Sequence, residues 1–504
     1  MKTNWKILRR VLIALAAIGT LVALFYPVEN WSGRRAWEEC KRELRAKGAV
    51  LDWGAYIPPP VPDDQNIFKA PKIQEWFVGR ERTDLSRRMA STNSASGPIE
   101  GLTLQDATNY LAWSDQFASD LDTIREALKR PFARIDGDYE QTYDIPTPNF
   151  VGLRVVAQML ARRAQCYLLL QEPENALHEL TLMHDIRRFL EPGPTGKPIT
   201  LVSAMVDVAI TGLYANTIGD GLRVKAWREP QLVALQKQLG ATQLSPFVQE
   251  AFVDASALVC RTLESTPPVM VGNQRLALPR GTTNMWHSLL DPVTMLSRFA
   301  PRGLKVRRIF TPSLLVFSPL APRGWLYQNM AAYALEQQKL IHIYDPSTKT
   351  VSPQKADDVS REMNALKRSS PYTSFASWAL PNLVRAWKIL ALNQSLVNEA
   401  MIACALERYH LAHGSYPETL DSLVPQYIDM LPQDIVNGLP LKYHRTTDGK
   451  FILYSVAWNG RDDGGSTISH DPVPASQEKP GITRMKGEAV GYRPTADEDD
   501  WVWE

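Results

Sequence analysis

The first thirty residues combine a short basic segment with a long apolar run. Residues 2–10 contain four Lys or Arg side chains and no acid, and residues 11–28 contain no charge at all. Eighteen helical residues span about 27 Å, close to the thickness of a bilayer's hydrocarbon core. The run is longer than the apolar part of a cleavable signal peptide and ends in bulky side chains. Residues 1–30 are therefore predicted to be a transmembrane signal anchor that is retained.

The orientation of this helix follows from what lies on either side of it. A short basic tail is easily kept in the cytoplasm, whereas a long domain is translocated largely regardless of its charge. We therefore expect a single-pass protein of the inner (cytoplasmic) membrane, with most of the chain in the periplasm or otherwise outside the cytoplasm.

Residues 31–66 are predicted to connect the membrane helix to the rest of the chain. Trp37, Cys40 and Leu44 recur at helical spacing, which indicates an amphipathic juxtamembrane helix. Residues 57–64 read IPPPVPDD, and proline at this density excludes a helix interior. This Pro-rich stretch is predicted to be a stiff, extended spacer that lifts the following domain from the membrane.

Residues 67–390 show the apolar spacing of helices, interrupted by proline and glycine. Phe117, Leu121 and Ile124 mark one such face. Residues 199–219 are more apolar, but an acid, Asp207, lies among them, so we expect a buried core helix and not a second span. The predicted fold class is mainly α: a multi-helix domain after one N-terminal transmembrane helix, with a small C-terminal α+β module.

Residues 391–470 form that predicted module. The pattern indicates a long helix that ends at Gly414, then a second short helix that begins near Pro417 and ends before Pro425. The stretch LKYHRTTDGKFILYSV contains two β-prone runs around an Asp-Gly pair, the composition of a hairpin turn. The sequence NGRDDGG follows as an Asp/Gly-rich loop.

Three motifs of this module, ALERYHLAHGSYPETLDSLV, LPQDIVNGLPLKY and DGKFILYSVAWNGRDDGG, resemble in order and spacing the soluble domain of the type II secretion major pseudopilin, a pilin-like family. The resemblance implies a helix-plus-hairpin fold and a terminal calcium loop. Carried over to this chain, the calcium ligands would be Asn459, Asp462 and Asp463, with Asp471 as a further candidate. The family has Asp where this chain has Asn459, so a surface Asp/Gly turn is the alternative interpretation.

The resemblance does not extend to the N-terminus. The apolar run has neither the leader cleavage site of a pseudopilin nor the Glu five residues into its hydrophobic helix, so polymerisation as a pseudopilin is not expected. The N-terminal part resembles uncharacterised bacterial membrane-anchored envelope proteins instead. That similarity indicates a location and implies no activity.

Composition limits the classes of partner and of metal site that the chain can be expected to have. The chain has 56 basic and 54 acidic residues, which argues against nucleic acid as a partner. The four cysteines lie far apart in the sequence, so buried free thiols are expected and a zinc knuckle is not. Residues 471–504 are acidic and end with Trp501 and Trp503. This tail is predicted to be flexible, and a docking motif for a protein partner is the alternative.

No nucleophile elbow, phosphate loop or zinc-peptidase spacing occurs in the chain, so no catalytic residue and no cofactor other than calcium is predicted. The favoured hypothesis is a binding or scaffolding protein of the bacterial envelope, associated with a secretion or pilus-like assembly through the pilin-like module. The alternative is a membrane-anchored hydrolase whose site lies in the helical domain.

Overall fold

The fold is mainly helical, with two small antiparallel sheets in the last third of the chain. It was obtained as a computed structural model, which describes residues 2–79, 81–90, 99–142, 144–191, 193–265, 321–366, 370–380, 383–465 and 501–503.

The helices are, in chain order, α1 (Lys2–Ala46), α2 (Ile73–Phe77), α3 (Asp84–Ala90), α4 (Leu104–Ser114), α5 (Ala118–Ala127), α6 (Phe150–Leu169), α7 (Pro173–Asp185), α8 (Leu201–Arg223), α9 (Glu229–Gly240), α10 (Leu244–Ser265), α11 (Arg323–Ile341), α12 (Pro353–Ala365), α13 (Ser374–Ala379) and α14 (Val384–His413). The strands are β1 (Tyr344–Asp345), β2 (Thr350–Val351), β3 (Lys442–Arg445), β4 (Phe451–Ser455) and β5 (Trp501–Trp503). Sheet order is β1-β2 and β3-β4-β5.

Helix α1 is a single helix of 45 residues, about 68 Å long. The sequence suggested a membrane helix that ends near residue 30 and a separate juxtamembrane helix, but the two are continuous through Pro27. The side chains that follow explain this, because Trp37, Cys40 and Leu44 are buried against the helical domain. Their packing holds the second half of α1 as a direct extension of the first.

Helix α1 crosses α11 at two glycines. A Cβ atom on Gly33 would collide with the backbone of Gly324, and a Cβ on Gly324 would collide with the carbonyl of Glu29. The side chain of Asn30 accepts a hydrogen bond of 2.9 Å from the backbone N–H of Gly324 and so caps the start of α11. Small residues here allow the two backbones to touch, which fixes the crossing point.

Two large hydrophobic clusters form most of the interior of the described residues, beside two small ones. The first gathers side chains of α2, α3 and α5–α9, and the second gathers those of α1, α10, α11, α12 and α13. Helix α14 belongs to both, with Trp387 in the second cluster and Leu406 in the first. The boundary that we placed at residue 390 therefore falls inside one uninterrupted helix.

The core helix predicted within residues 199–219 is confirmed as α8. Asp207 is 1% exposed and forms a two-point ion pair with Arg187, with N–O distances of 2.6 and 3.1 Å. Pairing satisfies a charge that burial would otherwise penalise strongly.

The C-terminal segment has the predicted hairpin but lacks the predicted second helix. Helix α14 ends at Gly414, whose left-handed φ of 76° suits glycine, and β3 pairs with β4 around the Asp448–Gly449 turn. Between them only one short 3-10 turn, Leu420–Leu423, occurs. Leu420 and Leu423 are buried, so the segment packs as a connector on the first cluster.

The acidic tail was predicted to be flexible, but its described residues form strand β5. Trp501 and Trp503 are 4% and 7% exposed, and β5 pairs antiparallel with β4. The ring of Trp503 lies over Gly219 of α8, where a side chain would leave too little room. These tryptophans are buried within the chain, in contrast to the exposed docking motif that we considered. Residues 471–500 lie outside the described residues.

The Pro-rich stretch packs on the helical domain, contrary to the prediction of a free spacer. Pro58 is buried, and its carbonyl accepts a hydrogen bond of 3.2 Å from Nε of Arg134. Nearby, the indole N–H of Trp53 donates to the carbonyl of Tyr139 at 2.7 Å. An extended Pro-rich backbone has no internal hydrogen bonds, and here the domain supplies a donor to one of its carbonyls.

The α1–α11 crossing yields a prediction. Gly324→Ala should lower the free energy of unfolding by about 1–3 kcal/mol, because the added methyl group forces the two backbones apart. It should also make Cys40 more reactive toward thiol reagents, since this side chain lies against α11. Both quantities are measured on detergent-solubilised protein.

The matched control is Gly240→Ala. Its added Cβ would meet only Met401 Sδ at 3.8 Å, an ordinary van der Waals contact. An unchanged thermal midpoint and unchanged Cys40 reactivity in Gly324→Ala would contradict the described crossing.

Candidate functional site

The residues predicted to bind calcium lie together on the loop after β4. Asn459 donates from its side-chain amide to Asp463 at 3.1 Å. Asp462 accepts a hydrogen bond of 2.9 Å from the hydroxyl of Tyr454, and its other oxygen lies 3.2 Å from Nζ of Lys442. The structure thus brings these three residues together, while Asp471 lies outside the described residues.

The surroundings of Asp462 favour its ionised form. The Tyr454 hydrogen bond, the Lys442 ammonium and the backbone N–H of Gly464 lower the pKa of this carboxyl group. Lys442 occupies a position where a bound cation would compete with it for the same oxygen. Among the described residues, no three His, Cys, Asp or Glu side chains are grouped closely enough to hold a metal ion. Any calcium site here would therefore depend on amide and backbone oxygens as well.

A second cluster lies beneath the C-terminal sheet. Glu399 of α14 is fully buried, and within the described residues neither of its oxygens has a hydrogen-bond partner of good geometry. Burial and the neighbouring Asp434 raise the pKa of Glu399 well above its ordinary value, and the nearby backbone N–H of Ser455 opposes this only in part. The surroundings of Glu399 therefore favour its neutral form.

Asp434 differs from Glu399 because backbone groups engage both of its oxygens. The N–H of Val436 donates to one oxygen at 2.8 Å, and the N–H of Val456 donates to the other at 3.0 Å. Asp434 thus ties the loop before β3 to the end of β4. The two neighbouring acids therefore differ in their hydrogen bonding: backbone N–H groups engage both oxygens of Asp434, whereas within the described residues the oxygens of Glu399 have no such partners of good geometry.

A third buried acid lies in the helical domain. Asp254 of α10 is 2% exposed, and Oδ1 has no hydrogen-bond partner within the described part of the chain. Burial, helped by Glu250 and opposed by Lys197, raises the pKa of Asp254 to about 8. Glu250 itself is paired with Lys197 at 2.8 Å. Burial beside a charged pair gives Asp254 surroundings that resemble those of a proton-transfer group.

A small cleft among the described residues lies close to the region of Asp254, but its lining carries no acid. It has room for about one water molecule. Its lining is apolar apart from a few hydroxyl groups, and it contains no carboxylate, histidine or cysteine: Phe68, Ala133, Ile135, Tyr139, Pro146, Thr147, Pro148, Phe189, Leu190, Ile199 and Ser203.

The most distinctive feature is the first half of α1. Three helices of the described residues are long and apolar enough to cross a membrane: Ile7–Ala46, Leu201–Arg223 and Val384–His413. The most apolar stretches of the second and third are 67% and 72% buried inside the protein, whereas that of the first is 0% buried. Of the three, the N-terminal helix therefore stands out as an apolar surface without a protein cover in the structure.

Sequence reasoning missed the buried acids, although a signal was present. Glu399 falls on the same helical face as Leu396, Ala403 and Leu406, and an acid in such a stripe must be buried or must break the packing. Asp254 interrupts the apolar face of α10 in the same way. The pattern shows that such an acid is unusual, but only the structure shows which groups surround it.

No protein-family model matches this chain, and neither a curated protein nor a solved structure matches it.

The buried Glu399 predicts how stability depends on pH. The pKa of Glu399 is higher in the folded than in the unfolded protein. Its contribution to the free energy of unfolding is therefore fully present at a pH below the unfolded-state pKa, and it is lost as the pH rises through the folded-state pKa. Glu399→Gln should remove that loss, and should be increasingly more stable than wild type above about pH 5. Each unit of pKa difference corresponds to about 1.4 kcal/mol.

Thermal midpoints measured across the pH range check this prediction. Asp421→Asn is the control, because Asp421 is exposed. If the curves of Glu399→Gln and wild type stayed parallel, Glu399 would not carry its proton into the folded state.

Proposed function

We propose that the protein is a membrane-anchored, extracytoplasmic binding or scaffolding protein of the bacterial envelope. The observation that supports this best is the exposure of α1. Twelve large apolar side chains between Ile7 and Val28 are exposed, and the second half of the same helix is built into the core. One helix thus joins a surface suited to lipid to a folded domain.

The size of the exposed surface argues against water as its surroundings. Moving each large apolar side chain out of water contributes about 1.5–3 kcal/mol, so the twelve together amount to tens of kcal/mol. Residues 7–28 span about 33 Å as a helix, which matches a hydrocarbon core. The basic residues before the run suit a cytoplasmic N-terminus, as the sequence predicts.

The burial of the candidate catalytic acid supports a binding role over a catalytic one. Asp254 is almost wholly buried, and the nearby cleft is apolar and small. A hydrolase needs its acid within reach of a substrate. The alternative of a membrane-anchored hydrolase rests on Asp254 itself, and Asp254→Asn is the variant that would abolish such an activity while keeping the shape of the side chain.

We propose that the C-terminal segment binds the partners of this protein. The proposal rests on the sequence resemblance to the pilin-like family, which implies association with a secretion or pilus-like assembly. The long helix and the hairpin occur as that resemblance implies, but a 3-10 connector stands where a short helix was expected. Calcium at Asn459, Asp462 and Asp463 remains a prediction. A rise of the thermal midpoint on calcium addition that Asp462→Asn abolishes would support it, and the absence of any rise would count against it.

Fractionation of cells that express the full chain tests the proposal. The protein should remain in membranes washed with alkaline carbonate and should be released by detergent. Protease added to spheroplasts should digest the domain and spare an epitope placed before residue 2.

A variant with Leu15→Arg and Ile18→Arg should lose membrane retention, because two charges near the bilayer centre are costly. Val233→Arg is the control, since Val233 is an exposed apolar residue of α9. Release of the wild-type protein by carbonate would refute the anchor, and a domain protected in spheroplasts would refute the orientation.

A further inference from the structure

A group of aromatic side chains surrounds α1 at the end of its apolar run. Phe25 contacts Trp325 of α11 edge to face at 6.2 Å between ring centres, and Trp325 contacts Tyr372 in the same way at 6.5 Å. Trp31, six residues after Phe25 on α1, is 64% exposed. Phe25, Trp325 and Tyr372 come from three distant parts of the chain and lie side by side at the end of the apolar run.

Two of these aromatic side chains also donate hydrogen bonds to Glu29, the first acid after the apolar run. The indole N–H of Trp325 donates to Oε2 of Glu29, and the hydroxyl of Tyr372 donates to Oε1, both at 3.1 Å. Trp and Tyr are enriched at membrane–water interfaces, where an apolar ring and a polar tip are both accommodated. Glu29 thus receives two donors at the level where the apolar surface ends.

Exposed cations follow the apolar run. Arg34 and Arg35 lie on the face of α1 that carries Trp31. The guanidinium of Arg35 lies 5.6 Å from the Trp31 ring centre and is also paired with Glu39 at 3.0 Å. Arg323, the first residue of α11, is exposed beside the crossing. Arginine at this depth suits the phosphate groups of lipids.

The contacts with the domain begin directly after the apolar run, with no linker between them. Val28 is the last exposed apolar residue before Glu29, and Asn30 and Gly33 already contact α11. Because α1 is one continuous helix, the distance between the domain and the surface of a membrane that α1 spans is fixed. The position of the domain is set by the helix, and a Pro-rich spacer does not intervene.

We propose that this face, which we call the exit rim (Glu29, Trp31, Arg34, Arg323, Trp325 and Tyr372), is seated on the bilayer surface and contacts lipid headgroup phosphates. The inference rests on the proposed membrane anchor and extends it. The continuity of the rim with the apolar half of α1 favours a lipid surface over a protein partner. The charge of its arginines fits the phosphate groups of phosphatidylglycerol.

Spin labelling of the full chain tests the exit rim. Arg323→Cys and Lys450→Cys place a nitroxide at the rim and at the tip of the C-terminal hairpin, and both native residues are exposed. All four native cysteines are buried and free, so they compete poorly for the label. The proteins are placed in phosphatidylcholine–phosphatidylglycerol vesicles with a small fraction of lipid whose headgroup chelates nickel.

Nickel held at the headgroups shortens the relaxation time of a nearby nitroxide. We expect a several-fold stronger effect at position 323 than at position 450. Equal, weak effects at both positions would overturn the exit rim, because the domain would then stand away from the lipid. Spin–spin broadening at position 323 that disappears on dilution with unlabelled protein would also overturn it, in favour of a second copy of the chain.

A third label separates this inference from the proposed function. Leu15→Cys places the nitroxide in the middle of the apolar run, where a water-soluble reductant should not reach it. If the label at 15 is protected and the one at 323 is not near the headgroups, the anchor stands and the exit rim fails. If the label at 15 is reduced as fast as the one at 450, the anchor itself fails.

Discussion

The contact between Gly33 of α1 and Gly324 of α11 fixes the relation between the apolar helix and the rest of the protein. Neither position has room for a Cβ atom, so the two backbones lie against each other. The neighbouring Asn30 caps α11, and Trp37 donates to Glu264 at the end of α10 at 3.1 Å. An apolar surface and a folded core are thereby joined through one rigid helix.

The core continues this connection toward the C-terminal segment. Helix α14 passes through both hydrophobic clusters, and β5 places one tryptophan in each of them. The ring of Trp503 needs Gly219 of α8 beneath it, and Trp501 packs in the cluster that includes α1. The helical domain and the sheet thus share their interior, so movement of one relative to the other would expose buried aromatic surface.

Much of this architecture follows from local rules that the sequence displays. The apolar run, the C-terminal end of α14, the Asp448–Gly449 hairpin and the buried helix around Asp207 each depend on residues close together in the chain. The errors occurred where distant contacts overrode a local preference. Pro27 weakens a helix locally, but the stripe that follows it is buried and holds α1 together.

The same reason explains the other misses. Pro58 lies in a stretch that would be extended in isolation, and Arg134 bonds to it from elsewhere in the chain. The acidic tail lacks the composition of a stable strand, but β4 offers it an edge. In the candidate calcium loop, Asn459, Asp462 and Asp463 lie close together because they are neighbours in the sequence, whereas Lys442 beside Asp462 and the burial of Glu399 depend on the fold.

The continuity of α1 is the central claim, and one distance tests it most directly. Nitroxides at Leu15→Cys and Arg42→Cys, both exposed positions, should be about 40 Å apart with a narrow distribution in vesicles, as for one unbroken helix. Pulsed electron paramagnetic resonance measures this distance. A broad distribution, or a much shorter distance, would show that the chain bends between the apolar run and the domain, and would contradict the account.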